Sequence, residues 1–173
     1  IMFKQIFLLS TVLCLTFMLG SCTTKQPPPI IDSTSVVPGT EVTRKGQVLK
    51  LTGTGIEVGQ KLPNTDLVDA TTMKSVDLND FRGSILLLSV VPSIDTKVCE
   101  AQTHYLGEEG DKLPATVKRI TISRDTPFAQ TRFAKEAKLE DVQYLSDYKE
   151  GSFGRSIGLL MDEPRLLARS III

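Results

Sequence analysis

The chain has little of what nucleic-acid-binding and metal-binding proteins need. Its 173 residues include no tryptophan, one histidine and three cysteines, and lysine plus arginine equals aspartate plus glutamate at 20 each. A balanced charge without a basic run argues against nucleic acid as a partner. One histidine and no CxxC pair argue against a structural zinc site, which needs four ligands in close pairs. We therefore expect no metal and no cofactor.

Long hydrophobic runs are also scarce. The apolar run at residues 6–19 is shorter than the about 20 residues that a membrane-spanning helix needs. It follows Lys4 and ends in Leu19-Gly20-Ser21-Cys22, which is typical of a signal-peptide core and its cleavage site. This ending resembles a bacterial lipoprotein signal, and the alternative is an ordinary secretory signal with an incidental cysteine. The resemblance implies that residues 1–21 are removed and that Cys22 is lipidated. The protein would then be anchored to a membrane of the bacterial cell envelope, on the extracytoplasmic side.

A linker separates this segment from the expected domain. Residues 22–40 contain Pro27-Pro28-Pro29, Pro38-Gly39 and several serines and threonines, a composition typical of extended, poorly packed chain. We expect one globular domain over residues 41–173, long enough to form a core of its own.

Strand and helix patterns alternate along the domain. Strands are predicted at 67–69, 75–78, 85–91 (the central strand), 115–123, 141–145 and 166–173, and 47–51 with 56–58 are predicted to form a hairpin around Gly53-Thr54-Gly55. Helices are predicted at 97–109, from Thr126-Pro127 onward and at 150–157. Alternating strands and helices predict an α/β sheet covered by helices.

The most informative segment is Pro92-Ser93-Ile94-Asp95-Thr96-Lys97-Val98-Cys99. It places Cys99 in the first turn of a predicted helix, just after a predicted buried strand. Unpaired N–H groups and the helix dipole favour the thiolate form of a cysteine at such a position. Thr96 can donate a hydrogen bond to the sulfur or cap the helix, and Asp95 is the rival cap. The alternative interpretation of Cys99 is a small buried hydrophobic residue.

Four ordered stretches carry a family resemblance that runs from about residue 40 to the last residue. They are G-Q-K-L-P at 59–63 with D-F-R-G at 80–83, V-P-S-I-D-T-K-V-C at 91–99, I-S-R-D-T-P-F-A-Q-T-R-F at 122–133, and L-A-R at 167–169. Together they resemble the bacterial thiol peroxidases, a subgroup of the peroxiredoxins. The resemblance implies a thioredoxin-like α/β fold, with a central sheet flanked by helices and an N-terminal β-hairpin. By the same comparison, a C-terminal strand and helix are missing from this sequence.

The resemblance also implies an active site. Cys99 would be the peroxidatic nucleophile, with Thr96 bonded to the thiolate and to the peroxide. Pro92 would shape the loop and exclude water from the sulfur. Arg169 would stabilise the thiolate and orient the peroxide, although the nearby Arg165 is an alternative. Residues 125–128 would line the pocket or support a homodimer interface.

One departure from the family concerns the second cysteine. Many thiol peroxidases carry a resolving cysteine where this chain has Ala134. With Cys14 cleaved away and Cys22 lipidated, the oxidised Cys99 would need an external thiol, such as a thioredoxin, as its reductant.

Two other functions remain open. A thiol–disulfide oxidoreductase normally needs a CxxC, and Thr96 stands in place of the first cysteine. A degenerate or truncated member could act as a redox sensor or binding protein without turnover. A Cys–His hydrolase is disfavoured, because His104 lies five residues after Cys99 and would face away from it on a helix.

Overall fold

The computed structural model of the chain describes residues 36–44 and 46–173. The expected signal peptide, the expected lipidation site Cys22 and most of the predicted linker lie outside these residues. The strands are β1 (Val36–Val37), β2 (Glu41–Arg44), β3 (Gln47–Thr52), β4 (Leu67–Asp69), β5 (Ser75–Val76), β6 (Ile85–Val90), β7 (Val117–Ser123), β8 (Gln143–Ser146), β9 (Leu160–Met161) and β10 (Ser170–Ile172). The α-helices are α1 (Lys97–Glu108), α2 (Pro127–Ala137) and α3 (Ser152–Ser156), and short 3-10 helices span Leu78–Phe81 and Gly110–Lys112.

The larger sheet has six strands in the order β10-β6-β7-β8-β4-β5. β6, β7 and β8 are parallel to one another, with α1 and α2 as the crossovers, whereas β10, β4 and β5 pair antiparallel. The predicted α/β class is therefore confirmed. The strand predicted to be central, β6, is next to the edge instead, because β10 pairs with its outer side.

The N-terminal hairpin lies one strand earlier than predicted. It joins β2 to β3, with Glu41 opposite Lys50 and Arg44 opposite Gln47. Residues 56–58 form no strand, since β2 and β9 already occupy both edges of β3.

The folded part also begins before residue 41. Val36 pairs with Val42, and the Gly39 N–H donates to the Gly158 carbonyl at 2.7 Å. The predicted linker end at residue 40 is thus wrong, because residues 36–40 form β1 and the turn to β2.

The predicted final strand is divided between the two sheets. Leu167 forms a single bridge to Leu160, at the strand β9 of the small sheet β1-β2-β3-β9. Ser170 then pairs with Val90 in the large sheet. The chain passes from the small sheet to the large sheet between these two contacts. Arg169 lies in this connection, beside the end of β6.

Two groups of buried side chains fill the two faces of the large sheet. One face packs Leu88, Ile122 and Leu145 against Phe153 and the small sheet. The other face packs α1 and α2, and its cluster contains Cys99. The sulfur of Cys99 therefore lies in the helix-covered layer.

Helix α3 begins against a buried carboxylate. The Phe153 and Gly154 N–H groups donate to Asp147 at 3.2 and 3.0 Å. Burial raises the pKa of Asp147, although these two N–H groups and the Arg124 and Arg155 charges oppose the shift. The helix is shorter than the predicted 150–157, because Gly151 precedes it with φ 69°.

Candidate active site

The candidate site forms where β6 ends and α1 begins. The Val91 N–H continues the parallel pairing with a 2.9 Å bond to the Ile122 carbonyl, and the chain then turns through residues 92–96. Thr96 occupies the N-cap position with extended φ −113° and ψ 138°, and the Glu100 N–H donates to its carbonyl at 2.8 Å. Cys99 consequently lies in the first turn of α1, where its side chain is 0% exposed.

The Thr96 hydroxyl points at the sulfur. Its Oγ1 lies 2.9 Å from Cys99 Sγ and 3.2 Å from the Ser93 carbonyl oxygen. Although Thr96 is the N-cap residue, its side chain makes no capping hydrogen bond. Asp95, the rival cap, lies 3.3 Å from Arg132 with both side chains exposed. Of the two roles considered for Thr96, the geometry therefore favours the sulfur.

Arg169 approaches the same sulfur from the other side of the site. Its Nη2 lies 2.9 Å from Cys99 Sγ. Its Nη1 donates to the Gln102 amide oxygen, and Gln102 Nε2 donates in turn to Ser89 Oγ at 2.7 Å. The guanidinium plane is thus held by a buried residue of α1 while its charge faces the sulfur.

Gln102 was missed by the sequence analysis. A spacing of three residues from Cys99 on a helix places both side chains on one face, and this was the available signal. Its partner Arg169 is 67 residues away, so the pairing could only come from the fold.

The other residues predicted for the site differ in how close the structure places them to the segment around Cys99. Pro92 is partly buried at the end of the strand, and its role in excluding water stays a prediction. Arg165, the alternative to Arg169, is exposed, and its carbonyl oxygen accepts a hydrogen bond from Arg124. Asp125 bonds to the loop that precedes α1, and Phe128 is 73% exposed.

Residues 57–173 match the protein family described as Redoxin. The chain belongs to the Redoxin family. Similar curated proteins include the thiol peroxidase of Staphylococcus epidermidis, which is 42% identical over 134 residues, covering 78% of this chain and 80% of the relative. The thiol peroxidase of Bacillus subtilis is 40% identical over 133 residues, covering 77% of this chain and 78% of the relative.

Solved structures of peroxiredoxins resemble this redoxin in fold. A peroxiredoxin-like protein from Aquifex aeolicus has a TM-score of 0.70 at 27% identity and covers 78% of each chain. Reduced Prx3 from Vibrio vulnificus, in complex with hydrogen peroxide, has a TM-score of 0.59 at 26% identity, covering 68% of this chain and 80% of that chain. The predicted thioredoxin-like peroxiredoxin fold is confirmed.

His104 of this redoxin has its contacts with carboxylates of its own helix and with an aromatic ring of α2. It contacts Glu100 and Glu108 at 4.0 and 3.5 Å, and its ring packs edge-on against Phe133 with centroids 6.1 Å apart. In the part of the chain that the structure describes, no three His, Cys, Asp or Glu residues cluster closely enough to hold a metal ion. Nor does any helix among those residues have the length and apolarity to cross a membrane.

Proposed function

We propose that this redoxin reduces hydrogen peroxide and organic hydroperoxides through Cys99. Thiol peroxidase relatives at about 40% identity over most of the chain confirm the class of activity. The assignment to particular residues is carried by one observation: a hydroxyl and a guanidinium both lie 2.9 Å from the sulfur of a buried cysteine. Such donors stabilise negative charge on the sulfur and on the peroxide oxygens.

In the first step the Cys99 thiolate attacks one oxygen of the peroxide. A sulfur–oxygen bond forms, the oxygen–oxygen bond breaks, and the leaving oxygen takes a proton and departs as water or alcohol. Thr96 and Arg169 already lie at the sulfur, so they are placed to orient the peroxide and to stabilise the charge on the leaving oxygen. Cys99 is left as a sulfenic acid.

The second step requires an external thiol. Cys99 is the only cysteine among the described residues, and Ala134 stands where the family resemblance would place a resolving cysteine. One thiol displaces water from the sulfenic acid to form a mixed disulfide. A second thiol then releases Cys99 and forms a disulfide with the first. A thioredoxin-like dithiol supplies both sulfur atoms.

We further propose that the mature protein is a lipid-anchored homodimer on the extracytoplasmic side of the bacterial cell envelope. The apolar run at residues 6–19 and the following Leu19-Gly20-Ser21-Cys22 support the anchor. The strong exposure of Phe128, at the start of α2, supports an interface there.

The test is stopped-flow oxidation by hydrogen peroxide of the 173-residue chain carrying Cys14→Ser and Cys22→Ser. We expect consumption of one equivalent at least about 10²–10³-fold faster than by free cysteine, since each such donor can contribute this much. The further change Cys99→Ser should abolish the reaction. Oxidation no faster than free cysteine would contradict the proposal. Fast oxidation without turnover, with thioredoxin and small dithiols supplied, would instead indicate a redox sensor.

A further inference from the structure

The loop that presents Thr96 is held by a carboxylate outside the proposed chemistry. Asp125 follows β7 and precedes α2. Its Oδ1 accepts a hydrogen bond from Ser93 Oγ and its Oδ2 accepts one from the Ile94 N–H, both at 2.8 Å. Ser123 Oγ also donates to Oδ2, at 2.6 Å. Hydrogen bonds to an ionised carboxylate are stronger than those between neutral groups, so Asp125 is a strong anchor for this loop.

The anchored residues determine where the Thr96 hydroxyl lies. The Ser93 carbonyl oxygen is 3.2 Å from Thr96 Oγ1, and the Thr96 N–H also donates to that oxygen, at 3.3 Å. Ile94 is 1% exposed and packs in the same cluster as Cys99. A shift of Ser93 and Ile94 would therefore move Thr96 away from the sulfur.

Hydrogen bonds hold Asp125 and its partner Ser123 to three elements of the fold, namely β7, α2 and β8. Gln130 of α2 donates from Nε2 to Ser123 Oγ at 2.9 Å, and to the Leu145 carbonyl of β8 at 3.1 Å. Ser146 Oγ donates to the Asp125 carbonyl oxygen. Ser123, Gln130 and Ser146 are all at most 1% exposed. The anchor is therefore rigid compared with the loop that it holds.

The other side-chain tie on this loop is weaker. Asp95 pairs with Arg132 at 3.3 Å, with the side chains 57% and 60% exposed. Exposed ion pairs of this kind contribute little to stability. Of the two side-chain contacts that hold the loop, the buried one to Asp125 is therefore the stronger.

Closure of the loop has two opposite consequences for Cys99. It assembles the hydroxyl donor beside the sulfur, which favours reaction with a small peroxide. It also leaves the sulfur 0% exposed, so a larger thiol or alkylating reagent reaches Cys99 only when the loop opens.

We propose that Asp125 is a positioning residue that holds the 92–96 loop closed over Cys99. It thereby places Thr96 for peroxide reduction and limits the access of bulky thiols to the sulfur. This inference rests on the proposed peroxidase function for its first half only.

The test compares Asp125→Asn with the unsubstituted protein, in the full chain carrying Cys14→Ser and Cys22→Ser. Asparagine keeps the size of the side chain but loses the charge and one acceptor oxygen. We expect oxidation by hydrogen peroxide to become about tenfold slower or more, because hydrogen bonds to a charged group are lost. Alkylation of Cys99 by N-ethylmaleimide should become about threefold faster or more, because it follows the population of the open loop. A purely structural role would not move these two rates in opposite directions.

A matched control is Asp66→Asn, the same change at an exposed carboxylate that accepts a hydrogen bond from Ser75 Oγ at 2.5 Å. It precedes β4, which is separated from β6 by β7 and β8, and should leave both rates unchanged. If circular dichroism shows that Asp125→Asn does not fold, Ser93→Ala removes one of the same bonds and should give smaller shifts of the same sign.

Unchanged rates in a folded Asp125→Asn, or rates that rise or fall together, would overturn the proposal. If the unsubstituted protein reacts with peroxide no faster than free cysteine, the proposed function fails instead. The alkylation measurement alone then decides whether Asp125 holds the loop.

Discussion

At the residue scale, the sulfur of Cys99 lies beside two hydrogen-bond donors that differ in how freely they can rotate. The Thr96 hydroxyl can rotate between Sγ and the Ser93 carbonyl oxygen, 2.9 and 3.2 Å away. The Arg169 guanidinium is held in place, because Gln102 accepts a hydrogen bond from its other nitrogen. Since Gln102 is neutral, the charge of Arg169 is not shared with a carboxylate there and acts on the sulfur.

Replacing Arg169 by lysine tests whether the two contacts of the guanidinium group, to Gln102 and to the sulfur, are both needed. Lysine keeps the charge but cannot hold Gln102 and the sulfur together with a planar group. We expect the second-order rate constant for peroxide oxidation to fall about 10²-fold, as for loss of one fixed donor. Stopped-flow kinetics measures it. The control is Arg165→Lys, the same change at an exposed arginine four residues earlier. It should change the rate constant by less than about twofold, since exposed charges contribute little. An equal loss in both variants would contradict the role of Arg169.

At the element scale, the segment after β9 passes from the small sheet to the large sheet. Leu167 belongs to the small sheet and Ser170 to the large one, so the arginine between them is set by backbone pairing on both sides. The packing of the small sheet against α3 thus also positions Arg169.

Gly53 provides a test of this packing. It has φ 115°, and a Cβ there would lie 1.8 Å from the Arg155 carbonyl oxygen in α3. We expect Gly53→Ala to lower the free energy of unfolding by about 2–4 kcal/mol through strain and overpacking. Gly83→Ala is the control, since Gly83 has φ 89° but nothing within 4 Å of the added carbon. Its cost should be about 1 kcal/mol, from the backbone conformation alone. Urea denaturation measures both, and equal costs would contradict the packing at Gly53.

Asp77 provides a pH-dependent test at the same scale. Its Oδ1 caps the 3-10 helix Leu78–Phe81 by accepting the Asn79 N–H at 3.0 Å, and it also accepts the Thr65 N–H at 3.1 Å. The Asn79 N–H chiefly, with further hydrogen bonds from Asn79 and Thr65, lowers the pKa of Asp77 against the opposing effect of burial. The ionised carboxylate therefore stabilises the fold at pH values above the ordinary carboxyl pKa. This contribution is lost as the pH falls through the lowered pKa of the folded state.

We therefore expect Asp77→Ala to be less stable than the unsubstituted protein by about 1–2 kcal/mol at pH 7. The difference should shrink below about pH 4, where the carboxyl group takes up a proton. Urea denaturation between pH 3 and 7 measures it. A difference that stays constant with pH would show that the charge of Asp77 does not contribute.

At the scale of the whole molecule, the sheet separates two buried layers with different roles. Leu88, Ile122 and Leu145 belong to the layer that joins the large sheet to the small one, whereas Cys99 and Ile94 belong to the helix-covered layer. Substitutions in the first layer that leave the segment at residues 167–170 in place can therefore change stability without changing reactivity.

Leu145→Ala in the first layer should show this separation. Leu145 is 0% exposed, and such truncations cost about 2–5 kcal/mol in unfolding free energy. While the variant remains folded, its rate of oxidation by peroxide should change by less than about threefold. The substitution removes only side-chain atoms of the first layer and keeps the Leu145 carbonyl oxygen, which accepts the hydrogen bond from Gln130. Ile85→Ala is the control, because Ile85 is 54% exposed on β6 and its truncation should cost under about 1 kcal/mol. A large loss of peroxide reactivity in folded Leu145→Ala would contradict the separation of the layers.

The sequence by itself determined the α/β class, the strand–loop–helix setting of Cys99 and the place of Thr96 three residues before it. These features depend on local patterns: an apolar run, a following helix and a spacing of one helical turn. It also determined that α2 begins at Thr126-Pro127, where Thr126 accepts the Ala129 N–H. The motif resemblance singled out Arg169, although the distance to Cys99 along the chain is 70 residues.

Only the tertiary structure decided what depends on contacts between distant segments. Gln102 meets Arg169 because β10 pairs antiparallel with β6, and Asp125 meets Ser93 because β6 and β7 end side by side. The hairpin was misplaced for the same reason, since β9, more than 100 residues after β3, takes the edge on which residues 56–58 would have paired. Local preference specifies which residues can form a strand or a helix, but the pairing of strands far apart in sequence specifies which side chains surround the sulfur.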